Sequence, residues 1–145
     1  KGAERAGRTL ADIEIEVNTV MSVSEDVDGL LAKARQGMAF TLGAMGSAKT
    51  NFYNDAFCRS GWEEASKEVQ RLWIGGDKAA AIEAVPEEML LQAYLIGTED
   101  RVRERIRAFR DAGVDVFRLA PQGRGTKERL ANLEYQVDLI RSETA

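Results

Sequence analysis

The sequence predicts an α/β fold with parallel strands, and only a part of one. Three observations lead there. Ile13 to Met21, "IEIEVNTVM", alternates Ile13, Ile15, Val17, Thr19 and Met21 against Glu14, Glu16, Asn18 and Val20, the period of a strand with one more polar face. Val114 to Ala120, "VDVFRLA", is a short, mostly apolar run of the kind that parallel sheets bury. The residues between and after these runs have helical spacing, and strand–helix–strand–helix order makes neighbouring strands parallel. Yet a βα barrel needs eight strands and a doubly wound sheet about five. The chain is therefore expected to be a piece of a longer protein. Its opening, "KGAERAGRTLAD", has no initiating Met and reads as a helix tail and a turn, in keeping with that expectation.

The elements follow in order. After the first strand, Ser24 with two acids behind it predicts a helix N-cap. The helix is expected from about Glu25 to Phe40, with Val27, Leu30, Leu31, Ala34 and Met38 as its apolar stripe. Asn51 to Gln92 reads as helical, with Phe52, Phe57, Trp62, Val69, Leu72 and Trp73 as apolar bulk. Breaks are expected at Gly61 and at Gly75-Gly76. Pro86, followed by two glutamates, suits the first turn of a short helix. Thr98 caps a helix running to Ala112, whose acids lead and whose arginines follow, as the helix dipole favours. Val102, Ile106 and Phe109 share its apolar face. After the second strand, "PQGRGT" is a loop, and residues 126–142 form a last helix with Leu130, Leu133, Val137 and Ile140 on one face.

Composition excludes several classes. The net charge of −4 offers no basic excess for a nucleic-acid backbone. No run approaches the roughly 20 apolar residues of a membrane span. With no histidine and one cysteine, Cys58, neither a zinc site nor an internal disulfide is expected, and a reducing compartment, the cytoplasm, suits the chain. The arginines between 101 and 110 alternate with acids and predict a solvated, ion-paired helix face.

One stretch imitates a phosphate loop. "GAMGSAKT" places Lys49 and Thr50 as G-x-x-x-x-G-K-[ST] requires, but Ala48 replaces the second glycine. The segment ahead of it has helical spacing, and no later strand ends in a magnesium-binding aspartate. A glycine-bearing turn between two helices is the simpler reading, and a degenerate phosphate-loop nucleotide binder is the weaker alternative.

"GAMGSAKTNFYNDAFCRSGWEEASKEVQRLW" and "AVPEEMLLQAYLIGTEDRVRERIRAFRDAGVDVFRL" together carry a more specific signal. Their order and spacing resemble the C-terminal part of luciferase-like flavin and deazaflavin monooxygenases and reductases. The "GAMGSAKTNFYND" run resembles a subgroup that uses the deazaflavin coenzyme F-420. The resemblance implies a (β/α)8 barrel of the bacterial-luciferase type, with Ile13 to Met21 as strand seven and Val114 to Ala120 as strand eight. Residues 25–92 would be a helical connection and insertion. It also implies hydride transfer between coenzyme F-420, or FMN as the alternative, and a small organic substrate, in some members with molecular oxygen.

In such barrels the active site lies at the C-terminal ends of the strands. That rule selects Ser22 and Ser24 after the first strand and Gln122, Gly123 and Arg124 after the second. The turn holding Ser47, Lys49, Thr50 and Asn51 is expected over the same mouth. Lys49 and Arg124 are the cations that an anionic substrate or cofactor tail would want, with the others as neutral partners. Lys49 also reads as a solvated loop lysine, Arg124 as a turn cation and Ser24 as a cap. The resemblance places most ring contacts in strands one to six, so no catalytic residue and no metal ligand is assigned here. The implied partners are a small-molecule substrate and a second copy (a homodimer) or the rest of the barrel, with neither nucleic acid nor membrane. The competing class is a non-catalytic α/β module that associates through apolar surface left uncovered.

Overall fold

The computed structural model describes residues 2–47 and 49–144. Its elements run α1 (Gly2–Arg5), β1 (Glu16–Asn18), β2 (Met21–Val23), α2 (Val27–Ala44), α3 (Phe52–Phe57), a π-helical turn (Cys58–Trp62), α4 (Glu63–Ile74), α5 (Lys78–Glu83), α6 (Glu87–Ala93), β3 (Leu95–Gly97), α7 (Glu99–Asp111), β4 (Val116–Arg118) and α8 (Gly125–Thr144). The strands pair in parallel, β1 with β4 in the register Val17 to Phe117 and β2 with β3 in the register Ser22 to Ile96. The α/β class with parallel strands is therefore observed.

The first predicted strand is split in two. Met21 and Thr19 are buried, as the alternation requires, but Ile13 and Ile15 remain 37% and 40% exposed. Their end of the strand meets only β4.

β3 is the element that sequence reading missed. Its three residues, "LIG", are too short to show a period, yet all are buried. β3 lies between the two predicted strands in sequence, with a helix on each side. In space, however, the Ile13–Met21 segment stands beside both, pairing with β4 through β1 and with β3 through β2.

Two cores hold the chain. One lies between α2, α4, α5 and α6, around Leu31, Met38, Leu42, Val69 and Met89. The other joins β2 and β3 to α7 and α8 through Met21, Leu95, Val102, Ile106 and Leu139. The predicted stripe of α8 is corrected here. Leu130 is 55% exposed and Leu133 38%, while Gln136 and Leu139 face inward. The first cap also moves: Asp26, not Ser24, accepts from the backbone N–H of Gly29 at 3.0 Å. Ser24 Oγ accepts from the N–H of Asp26, so it supports the cap from one step back. Thr98 caps α7 as predicted.

An ion-pair cluster fastens the end of α8 to α7. Glu143 meets Arg103 at 2.7 Å and Arg107 at 2.5 Å, and Arg103 also meets Glu99. Hydrogen bonds from Arg103 and then Arg107 hold the Glu143 carboxyl below the usual carboxylate range. A depressed folded value means stability that is present above the unfolded pKa and lost as pH falls through the folded one. Acid should therefore loosen α8, and Glu143→Gln should flatten the acid limb of a melting-temperature profile. An unchanged limb would remove Glu143 from that role.

Gly43 fixes how α2 meets α4. A Cβ on Gly43 would lie 2.4 Å from the Cβ of Trp73. Gly43→Ala should therefore cost about 1–3 kcal/mol by overpacking in urea denaturation, despite alanine's better helix propensity. The position of Gly43 also bears on the phosphate-loop alternative. The first glycine of "GAMGSAKT" sits inside a helix, where its backbone cannot wrap an anion. Ala48 lies outside the described residues.

Candidate functional site

The C-terminal end of β2 carries a polar cluster. In a continuous parallel sheet the Met21 carbonyl would accept from a neighbouring strand. Here the side-chain amide of Gln122 donates to it at 2.9 Å, and that of Gln136 at 3.4 Å. The same Gln122 amide nitrogen donates to Ser22 Oγ. The backbone N–H of Gln122 is held by Asn132 Oδ1 at 2.7 Å, so α8 fixes the loop after β4 against the end of β2. Gln136 is 1% exposed, and its Oε1 has no donor among the described residues. An orphaned acceptor of this kind is rare in a packed interior.

Beside this cluster is a cavity of about 180 Å³ between α2 and the sheet. Val20, Leu30, Ala34 and Ile96 give it apolar walls. Ser22, Gln122, Tyr94 and Lys33 bring polar groups to it. Burial pushes the Tyr94 phenol above its ordinary pKa, which keeps it a protonated donor.

The predicted residues divide between two places. Ser22 and Gln122 meet directly, as the strand-end rule requires. Gly123 has φ +130°, and a Cβ there would come within 2.7 Å of Glu128 Cβ, so only glycine fits the turn. Arg124 is exposed next to it, its backbone N–H held by Glu128. Its guanidinium has no partner among the described residues.

The second group lies elsewhere. Ser47, Lys49, Thr50 and Asn51 follow α2, whose 18 residues span about 27 Å at 1.5 Å per residue. Since α2 starts just beyond β2, these residues sit at its far end. They share no hydrogen bond or cavity with Gln122, so the expected position over a common mouth is not observed. Ser47 Oγ and Thr50 Oγ1 bond each other at 2.8 Å. Asn51 is 2% exposed, and its amide is committed to the fold. It donates to the carbonyls of Thr41 and Leu42 and accepts from the N–H of Asn54, capping α3. Asn54 continues the staple, donating to the carbonyls of Leu42 and Ser66. Thus "TNFYND" joins α2, α3 and α4. Lys49 is exposed, with no ion pair among the described residues.

Tyr94, Lys33 and Gln136 were missed by sequence reading. Tyr94 precedes the unpredicted β3, Lys33 looks like any helix-surface lysine, and Gln136 stands where the apolar stripe of α8 was misplaced. Among the described residues no group of acids and Cys58 could hold a metal, and no helix is long and apolar enough to cross a membrane.

A protein of Mycobacterium tuberculosis named as a candidate coenzyme F-420-dependent oxidoreductase is 31% identical over 112 residues, covering 77% of this chain and 32% of that protein. The structure of coenzyme F-420-dependent tetrahydromethanopterin reductase from Methanopyrus kandleri is similar over 98% of this chain and 38% of its own, with 26% identity and a TM-score of 0.63. The chain thus spans about a third of the length of these relatives. The family of luciferase-like monooxygenases matches residues 1–116. The chain belongs to the luciferase-like monooxygenase family.

Proposed function

We propose that this chain is part of a luciferase-like oxidoreductase that passes a hydride between the deazaflavin coenzyme F-420 and a small organic substrate. FMN is the alternative cofactor, and oxygen use belongs to the monooxygenase form of the same reading. The observation that carries the proposal is the family match, joined to two similar proteins both named for dependence on coenzyme F-420. On this reading β4 is barrel strand eight and the Ile13–Met21 segment, which pairs with it through β1, is strand seven.

The chain by itself does not fit the cofactor. The cavity at the strand ends, about 180 Å³, is close to the size that takes a single aromatic ring, whereas a deazaflavin has three fused rings. The wider groove along α4 is lined by Glu64 and Glu68 as well as Lys67 and Arg71. Lys67 and Arg71 there are already paired, to Glu63 and Glu68. Lys49 and Arg124 lie at opposite ends of α2. The ring contacts are therefore assigned to the rest of the protein, and no catalytic step is assigned to residues of this chain. The chain alone is expected to be inactive.

Arg124 is the better of the two cations, because it stands at the strand ends beside Gln122. In a full-length protein carrying this segment, Arg124→Ala should weaken binding of an anionic substrate or cofactor tail about tenfold. Lys49→Ala should leave it unchanged. The reverse ranking in equilibrium titrations would move the site to the far end of α2.

A second reading, a non-catalytic association module, draws on the exposed Leu10, Ile13, Ile15 and Val20. Such surface favours contact with a second copy, as a homodimer, or with the remaining barrel. Neither nucleic acid nor membrane enters either reading, and both suit the cytoplasm.

A further inference from the structure

We propose that the cavity between α2 and the β2–β3 sheet binds a small aromatic or cyclic carboxylate, with its ring against Val20, Leu30, Ala34 and Ile96 and its carboxylate held by Lys33 and the Tyr94 hydroxyl. Three observations converge on this class. The volume, about 180 Å³, suits one ring and little more, since a dry apolar cavity of about 150 Å³ takes benzene. Lys33 is the one charged residue in the lining, and no carboxylate faces it. Among the described residues, neither the Lys33 ammonium nor the Tyr94 hydroxyl has a partner, so both are free to donate.

The other polar groups of the lining set the ligand's orientation. The Gln122 amide nitrogen spends both N–H groups on the Met21 carbonyl and Ser22 Oγ and has none left for an anion, and the Ser22 O–H is a neutral donor only. The carboxylate is directed to Lys33 and Tyr94, and the ring to the aliphatic walls. A neutral ring would gain the burial but not the charge-assisted hydrogen bonds. That this ligand is the substrate rests on the oxidoreductase reading above; the binding itself requires only this chain.

The test is isothermal titration of the 145-residue chain with benzoate and with benzamide, which has the same shape and no charge. Benzoate should bind saturably with Kd below about 1 mM, and benzamide about tenfold more weakly. Lys33→Ala should bring benzoate to the benzamide level without changing the melting temperature, and Lys33→Arg should restore part of the difference. Ala34→Phe should fill the cavity and remove both; where circular dichroism shows that it does not fold, Ala34→Leu takes its place. The proposal is overturned by a folded chain that gives no saturable benzoate signal up to about 10 mM, by equal affinity for the two probes, or by indifference to Lys33→Ala. Deazaflavin binding by the full-length protein is measured separately. Its absence alongside intact benzoate binding would remove the oxidoreductase reading and leave this site standing.

Discussion

Replacing Asn54 with alanine should destabilise the chain by about 2–4 kcal/mol, measured by urea denaturation. Asn54 is 4% exposed, and its amide donates to the Ser66 carbonyl at 2.7 Å and to the Leu42 carbonyl at 3.1 Å. Alanine leaves the Ser66 carbonyl without that donor in a buried place, and leaves space behind. The Leu42 carbonyl keeps Asn51 as a donor and the Ser66 carbonyl its place inside α4, so the cost is that of two lost buried hydrogen bonds and the space left behind. Asn54→Asp, similar in size but without the donor, should cost as much or more, because it faces two carbonyls with a charge. Lys49→Ala, five residues earlier on the exposed turn, should stay within about 0.5 kcal/mol. A mild Asn54→Ala and a severe Lys49→Ala would show that this stretch is not the staple described above.

Ile106→Ala should cost about 2–5 kcal/mol, again in denaturant and with a lowered melting temperature. Ile106 is fully buried on α7, in the core that includes Met21, Leu95 and Leu139. That core is what holds β2 and β3 against α7 and α8. The lost side chain forfeits its transfer energy and leaves a cavity bordered by two strands and two helices that cannot all close in. Ile106→Val should cost only about 0.5–1.5 kcal/mol. Equal costs for the two variants would mean that the site collapses freely and that this core is looser than its burial implies.

Several parts of this structure were legible in the sequence because they follow local rules. Thr98 caps α7, Val102 and Ile106 face inward, and α2 carries Leu31 and Met38 on its buried side. The parallel pairing follows from element order alone. β3 was not legible. A three-residue strand has no period to detect, and its burial comes from pairing with a strand more than seventy positions away. The stripe of α8 was misread for a related reason. Leu130 and Leu133 are as apolar as a core position demands, yet only the placement of α7 and β2 decides that Gln136 and Leu139 turn inward.

The candidate site was half legible. The strand-end rule found Ser22 and Gln122, which do meet. It also gathered Lys49 and Asn51 over the same mouth, because the length and direction of α2 could not be read closely enough to carry them to the other end. Asn51 read as a ligand-binding amide, and no local signal separates that from helix capping and stapling. The partner carbonyls of such amides are visible only once α2, α3 and α4 are packed.

The most direct measurement is titration of coenzyme F-420 into a full-length protein that carries this segment and, in parallel, into the 145-residue chain alone. The full-length protein should bind the deazaflavin at about micromolar affinity or tighter, and the cofactor's visible absorbance should change on turnover with substrate, while the chain alone should show no binding at that level. Micromolar binding by the chain alone, or a full-length protein that binds neither the deazaflavin nor FMN, would contradict the account.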